Sequence, residues 1–244
     1  TIGDWSSDVC SSDLGRFSLT GYTANVFSTN TFILIDVVLK TAIIFDAPGS
    51  VDRISDYLKE NGITSVEALF LTHGHADHIL ATNDYRSKLP GPMKIYLGHK
   101  DLYIWNNLNQ QIHDFKVPYS VDPLPEPDVL LEGGEVLTFG ETTVECIHAP
   151  GHSEGSIVYY VKRKGEQDLM ITGDVLFAHG IGRTDWSGIP ILEGTSSYVV
   201  LSESLDKLKT YPQNTPLLPG HGDCSTLGKA LDMYCYRGRS EERR

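Results

Sequence analysis

The stretch Leu71–Ile79 reads LTHGHADHI and hangs from the end of an apolar, strand-like run, SVEALFLT. Three histidines and an aspartate fall within six residues there, and no other segment so restricts what the chain can fold into. In an extended loop, residues two apart point the same way, so His73 and His75 can reach one ion together. Asp77 and His78 lie where the chain begins to turn into a helix and can face a second position. Imidazole suits zinc, iron and similar borderline ions, while a carboxylate adds charge and can bridge. The plainer alternative is a solvated histidine-rich loop.

The rest of the chain argues against that alternative. APGHSEGS places His152 in a glycine-rich turn after an apolar run, ITGDVLF ends a run with Asp174, and LPGHGD places His221 after the last run. All three sit at strand ends, where loops on a rigid scaffold gather functional groups.

Around these motifs the pattern is strand-rich. TFILID (Thr31–Asp36) and TAIIFDAPG (Thr41–Gly49) read as paired strands. Ser50 is then an N-cap for the amphipathic helix VDRISDYLKENG, with Val51, Ile54 and Leu58 on one face and Gly62 as the stop. A second helix is expected from about Asp77 to Leu89, halted by Pro90-Gly91. KIYLG is a strand, and four prolines between Pro118 and Pro127 exclude regular structure there. Hairpins are expected about Gly140-Glu141 and Lys164-Gly165, then a helix near Tyr198 to Thr210 and a short strand into LPGHGD. Two strand-then-helix halves imply an α/β fold of two sheets covered by outer helices.

With 244 residues, 40% of them hydrophobic, the chain suits one globular domain with a sizeable core. A formal charge of −12 offers no electrostatic grip on nucleic acid or an anionic membrane, which leaves a small-molecule substrate as the expected partner. The sequence does not specify an oligomeric state. Cys10, Cys146, Cys224 and Cys235 show no CxxC spacing, so a reducing, cytoplasmic location is expected. No apolar run approaches the roughly 20 residues that span a bilayer. Asp4–Leu14 and Arg239–Arg244 read as in-frame translations of short-read sequencing adapters, and a genuine leader could have been lost upstream. Residues 1–14 and 237–244 are therefore set apart, as tails without regular structure, from a domain over 15–236.

The motifs, their order and their spacing, together with STN, FDAPG and IGRTD, resemble the metallo-β-lactamase superfamily. Within it they are similar to the glyoxalase II-like (hydroxyacylglutathione hydrolase-like) single-domain hydrolases, from about Val26 to Gly228. The resemblance implies an αββα sandwich, two mixed β-sheets flanked by outer helices, with a metal site at one edge between the sheets. Carried over by motif, His73, His75 and His152 would hold one divalent ion and Asp77, His78 and His221 a second, with Asp174 bridging them. Zinc is the expected metal, with iron or manganese as alternatives. A hydroxide shared by two such ions would attack an activated carbonyl, a thioester foremost, with Asp77 orienting it. Two departures bear on glutathione. Asp185 stands where the glutathione enzymes tend to carry an aromatic, and the chain ends soon after Gly228 without the helical C-terminal domain that supplies thiol contacts in full-length glyoxalase II.

The chief alternative is a persulfide dioxygenase, which resembles this chain through HADHI and GRTD and would use one iron on His73, His152 and Asp174. The long interval from His75 to His152 and the late PGHG count against it. A lactonase or β-lactamase-like hydrolase is a further alternative. Several residues stay open. Asp46 either accepts from a ligating imidazole or ends its strand in a turn; Arg183 either pairs with Asp185 to pin its loop or anchors substrate; His179 either touches substrate or faces water. Tyr103, Trp105, Phe115 and Tyr119 form either a substrate wall or core. His148, before Pro-Gly, is structural or supports a ligand.

Overall fold

The computed structural model describes residues 15–118 and 120–241, with side chains as far as residue 234. The adapter-like residues 1–14 and the last three, 242–244, lie outside that range, as does Tyr119.

The first six strands form one sheet in chain order: β1 (Phe17–Ala24), β2 (Thr29–Asp36), β3 (Thr41–Phe45), β4 (Ser65–Phe70), β5 (Lys94–Gly98) and β6 (Val129–Leu131). Its first three strands pair antiparallel and the rest parallel. The second sheet runs β12-β11-β10-β9-β8-β7, built from β7 (Val136–Phe139), β8 (Thr142–His148), β9 (Ile157–Arg163), β10 (Leu169–Gly173), β11 (Pro216–Pro219) and β12 (Ser225–Thr226). Only its β10–β11 pair is parallel. Both sheets are thus mixed.

Both faces of the first sheet are covered, so its inner strands are apolar throughout rather than alternating with polar residues. In β2, Ile33 and Ile35 join the outer core while Phe32 and Leu34 face the second sheet; in β3, Ala42 and Ile44 divide from Ile43 and Phe45 in the same way. The layer between the sheets centres on Phe70, whose ring lies 5.5 Å from Phe45 and 5.0 Å from Tyr159. The Tyr159 hydroxyl donates to the Leu71 carbonyl at 2.6 Å, tying the sheets together where the histidine loop begins.

Outside the first sheet pack α1 (Val51–Glu60), α2 (Ala76–Ile79), α3 (Thr82–Lys88), α4 (Leu102–Asn106) and α5 (Leu108–Asp114); outside the second pack α6 (Tyr198–Leu208) and α7 (Leu227–Glu241). Helix α1 buries Val51, Ile54 and Leu58 as its periodicity predicts, but Ser50 does not cap it through its side chain. Ser50 takes a left-handed conformation (φ 58°), closing the Pro-Gly turn instead.

The single helix expected from Asp77 to Leu89 is two. The chain breaks at Leu80-Ala81 because its backbone groups find partners elsewhere: the Asp77 carbonyl accepts from Asn25 Nδ2 at 2.8 Å, the His78 carbonyl from the Ala47 amide, and the Ala81 amide donates to the Ala47 carbonyl. Tertiary contacts with the first sheet thus outcompete helix continuation. Helices α4 and α5, which the sequence pattern did not single out, occupy the aromatic-rich segment. Helix α7 runs on to Glu241, so residues 237–241 are helical where an irregular tail was expected.

Candidate metal centre

His73 and His75 lie in the loop leaving β4, Asp77 and His78 on α2, His152 in the loop after β8, Asp174 directly after β10, and His221 after β11. These loops meet at one edge between the sheets. There the side chains form three overlapping groups with metal-ligand spacing: His73, His75 and His152; His73, His78 and Asp174; Asp77, His78 and His221. All seven candidates named by motif are therefore brought together.

The outward nitrogens of four imidazoles fix their tautomers. His78 Nδ1 donates to Asp46 Oδ2 at 2.9 Å, His152 Nδ1 to the Arg183 carbonyl at 2.8 Å, and His221 Nδ1 to the Ser28 carbonyl at 3.3 Å. The Thr72 hydroxyl gives its hydrogen to Asp46 Oδ2, so it accepts from His73 Nδ1 at 3.1 Å. Each Nε2 then points into the cluster. His152 Nε2 lies 3.2 Å from His73 Nε2 and 2.9 Å from His75 Nδ1. His78 Nε2 lies 3.3 Å from Asp174 Oδ1 and 3.4 Å from Asp77 Oδ2, and His221 Nε2 lies 3.2 Å from Asp77 Oδ2. Imidazole nitrogens this close to one another, and to two carboxylates, need cations among them, whether protons or a metal. His78 Nε2 and Asp174 Oδ1 are both buried without a hydrogen-bond partner, as donors to a metal would be. The residues present thus fit divalent cations.

The protein's own charges divide the histidines. Burial, reinforced by neighbouring imidazoles, holds His73 and His75 well below the ordinary histidine pKa, and burial also lowers His152. Burial opposes charging of His78 and His221 as well, but the carboxylates outweigh it: Asp77, Asp174 and Asp46 raise His78, and Asp174 and Asp77 push His221 up to about 10. Asp77 and Asp174 stay below the usual carboxylate range, since His78 and His221 outweigh the penalty of burial. One group is therefore three imidazoles kept neutral, and the other two imidazoles paired with the Asp77 and Asp174 carboxylates.

A second layer holds the ligand loops. Asp46, in a left-handed conformation (φ 62°), accepts from the Thr72 amide and hydroxyl and from His78. Asp46 thus accepts from the imidazole of a candidate ligand, as the first of the two alternatives has it. Thr29 of STN donates to Asp77 Oδ2 at 2.7 Å, and Asn30 Nδ2 donates to the carbonyls of Pro219 and Gly222 around His221. Gly220 leaves the room Asp174 needs, since a Cβ there would lie 2.3 Å from Asp174 Oδ1.

Three supports escaped the sequence reading. The buried Asp101 carboxylate accepts from the Gly74 amide (2.8 Å), the Ser153 hydroxyl (2.7 Å) and the Gly155 amide (2.6 Å), joining the His73/His75 loop to the His152 loop. Gln111 Oε1 accepts from the Ala76 amide, and its Nε2 donates to the carbonyls of Gly74 and Ile104. Trp186 packs its ring 4.8 Å from His75 and 5.5 Å from His152.

The structure also places the remaining candidates. Arg183 does not pair with the Asp185 carboxylate: its Nε donates to the Asp185 backbone carbonyl and its guanidinium lies 4.8 Å from the centroid of Trp186, while the carboxylate takes the Ser187 amide and hydroxyl. Exposed His179 belongs to none of the ligand groups. His148 bonds the Glu154 carbonyl across the His152 loop. Of the described members of the aromatic wall, Trp105 is core, Tyr103 is exposed, and Phe115 approaches the site through Trp186; Tyr119 lies outside the described residues.

The profile of the metallo-beta-lactamase superfamily matches residues 24–221, which takes in every one of the seven clustered side chains. The chain belongs to the metallo-beta-lactamase superfamily. A probable metallo-hydrolase of Bacillus subtilis, YqgX, is 38% identical over 180 residues, 74% of this chain and 79% of the relative. The hydroxyacylglutathione hydrolase GloC of Haemophilus influenzae is 30% identical over 193 residues, 78% of this chain and 84% of its own. Among solved structures, the BLEG-1 B3 metallo-beta-lactamase matches with a TM-score of 0.74 at 29% identity, covering 88% of this chain and 96% of that one. The αββα sandwich expected from the motifs is thus the fold of this superfamily member, and its hydrolase and metal-binding character follows. No helix among the described residues is long and apolar enough to cross a membrane.

Proposed function

We propose that this superfamily member is a dinuclear metal-dependent hydrolase acting on an activated carbonyl, a thioester foremost. One observation carries the reading. The Asp174 carboxylate lies between two imidazole groups, with Oδ1 3.3 Å from His78 Nε2 and Oδ2 3.4 Å from both His152 Nε2 and His221 Nε2. His73, His75 and His152 would hold one ion, Asp77, His78 and His221 the other, and Asp174 would serve both. A single-iron dioxygenase would leave Asp77, His78 and His221 without a task, which favours hydrolysis. Similarity to a hydroxyacylglutathione hydrolase supports a thioester substrate.

Bound divalent ions supply Lewis acidity toward the carbonyl and bring water's pKa toward about 7, giving a nucleophile without a serine or cysteine. The chain's own residues do the rest. Asp77, kept ionised and held through Oδ2 by Thr29, is placed to accept a hydrogen bond that orients the attacking water. The neutral imidazoles of His73, His75 and His152 leave the first position less anionic than the second, so the carbonyl oxygen is better placed against the first. Trp186 covers His75 and His152 and keeps bulk water from that side.

The test is a panel of thioesters, lactones and β-lactams offered to the zinc-, iron- or manganese-loaded protein, with oxygen uptake on glutathione persulfide measured in parallel. Thioester hydrolysis with no oxygen uptake is expected. Oxygen uptake without hydrolysis would overturn the reading.

A further inference from the structure

The two ligand groups take their supports from different parts of the chain. His73, His75 and His152 are held through Thr72, Asp101, Gln111 and the Arg183 carbonyl. Asp77 and His221 are instead held by one short segment, residues 25–30, which turns from β1 into β2. Asn25 Nδ2 donates to the Asp77 carbonyl at 2.8 Å, the Thr29 hydroxyl donates to Asp77 Oδ2 at 2.7 Å, and the Ser28 carbonyl accepts from His221 Nδ1 at 3.3 Å. The backbone of Thr29 forms an antiparallel bridge with His221, and the Asn30 amide donates to the Gly220 carbonyl at 2.7 Å. Asp46 serves both groups, through His78 directly and through Thr72.

Within that segment the Thr29 hydroxyl acts on a ligand atom rather than on backbone. The oxygen it donates to, Oδ2, is the one turned into the cluster, 3.2 Å from His221 Nε2 and 3.4 Å from His78 Nε2. A second acceptor, Asn25 Oδ1, lies 3.4 Å from the same hydroxyl. A carboxylate oxygen at 2.7 Å outcompetes an amide oxygen at that distance, so the hydrogen goes to Asp77. Thr29 is wholly buried and β-branched, which restricts its χ1 and keeps the donor in place. The terminal torsion of an aspartate is broad by itself. The hydroxyl therefore fixes the plane of the Asp77 carboxylate with Oδ2 toward both imidazoles.

Resting on the dinuclear reading above, we propose that Thr29 is a positioning residue that sets the affinity of the second position, on Asp77, His78 and His221, and leaves the first untouched. Hydrogen bonds that orient a metal ligand are worth about 10- to 100-fold in affinity. The hydroxyl carries the effect, not the bulk of the side chain. Because the first position draws nothing from residues 25–30, the two ions are held independently. The turn between β1 and β2 can lose its grip on the second ion while the first stays bound.

Stepwise zinc-binding constants, measured by competition with a chromophoric chelator, test this without turnover. Thr29→Val keeps the branched shape and removes the donor; it should weaken one of the two constants about 10- to 100-fold and leave the other unchanged. Thr29→Ser keeps the hydroxyl and should restore the weakened constant. The constant that survives in Thr29→Val should equal the single one left in His221→Ala, which places the loss at the second position. A purely structural role for Thr29 would instead lower both constants together. Both constants falling together, neither moving, or Thr29→Ser failing to restore the loss overturns the proposal. One zinc per wild-type chain overturns the dinuclear reading instead.

Discussion

Asp46 fixes two of the proposed ligands at once. Its carboxylate orients His78 directly and His73 through Thr72, and its left-handed backbone (φ 62°) turns the strand end toward both. Holding a ligating imidazole by its far nitrogen sets the tautomer and raises its basicity. Asp46→Ala should weaken metal binding about 10- to 100-fold, measured by competition with a chromophoric chelator; unchanged affinity would show that the tautomers are set without it. At this scale the sequence was most legible where residue type itself carries chemistry. His and Asp in tight motifs could be named before any fold was known. Asp101, Gln111 and Trp186 could not, because their roles are bonds to backbone atoms or rings of residues far away in the chain, such as Gly74 and Gly155 for Asp101.

At the scale of elements, the site depends on loops being held to one another. Asp101 is the link between the loop after β4 and the loop after β8. Burial raises its carboxyl to about 6 even against three hydrogen-bond donors, so at neutral pH its ionised form is held at some cost. Removing it relieves that cost but strands the buried amides of Gly74 and Gly155, and the stranded amides outweigh the relief. Asp101→Ala should destabilise the protein by about 2 kcal/mol in urea unfolding and loosen the ion on His73, His75 and His152 more than the other. Unaltered stability would contradict the clamp. Strands, hairpins and α1 were legible from alternation and turn residues, because their hydrogen bonds are local or between neighbours. The break between α2 and α3 was not, since the competing partners, Asn25 and Ala47, belong to other elements.

For the whole molecule, the divided histidines predict how stability follows pH once a chelator has removed metal. The folded pKa of His221 lies above its ordinary 6.5, at about 10. Its stabilisation is therefore complete below pH 6.5 and is lost as pH rises through about 10. His73, His75 and His152 are displaced downward, so theirs is present above pH 6.5 and is lost as pH falls. The melting temperature of the chelated protein should fall between pH 6.5 and 10, and less steeply in His221→Ala; identical slopes would contradict the assignment. The two-sheet architecture was legible in outline because both sheets bury their strands on apolar cores.

The central claim, that Asp174 serves two ions, is tested most directly by metal content under saturating zinc. The wild type should hold two ions per chain, and Asp174→Ala should lose occupancy at both positions while remaining folded. One ion per wild-type chain, or two in Asp174→Ala, would contradict it.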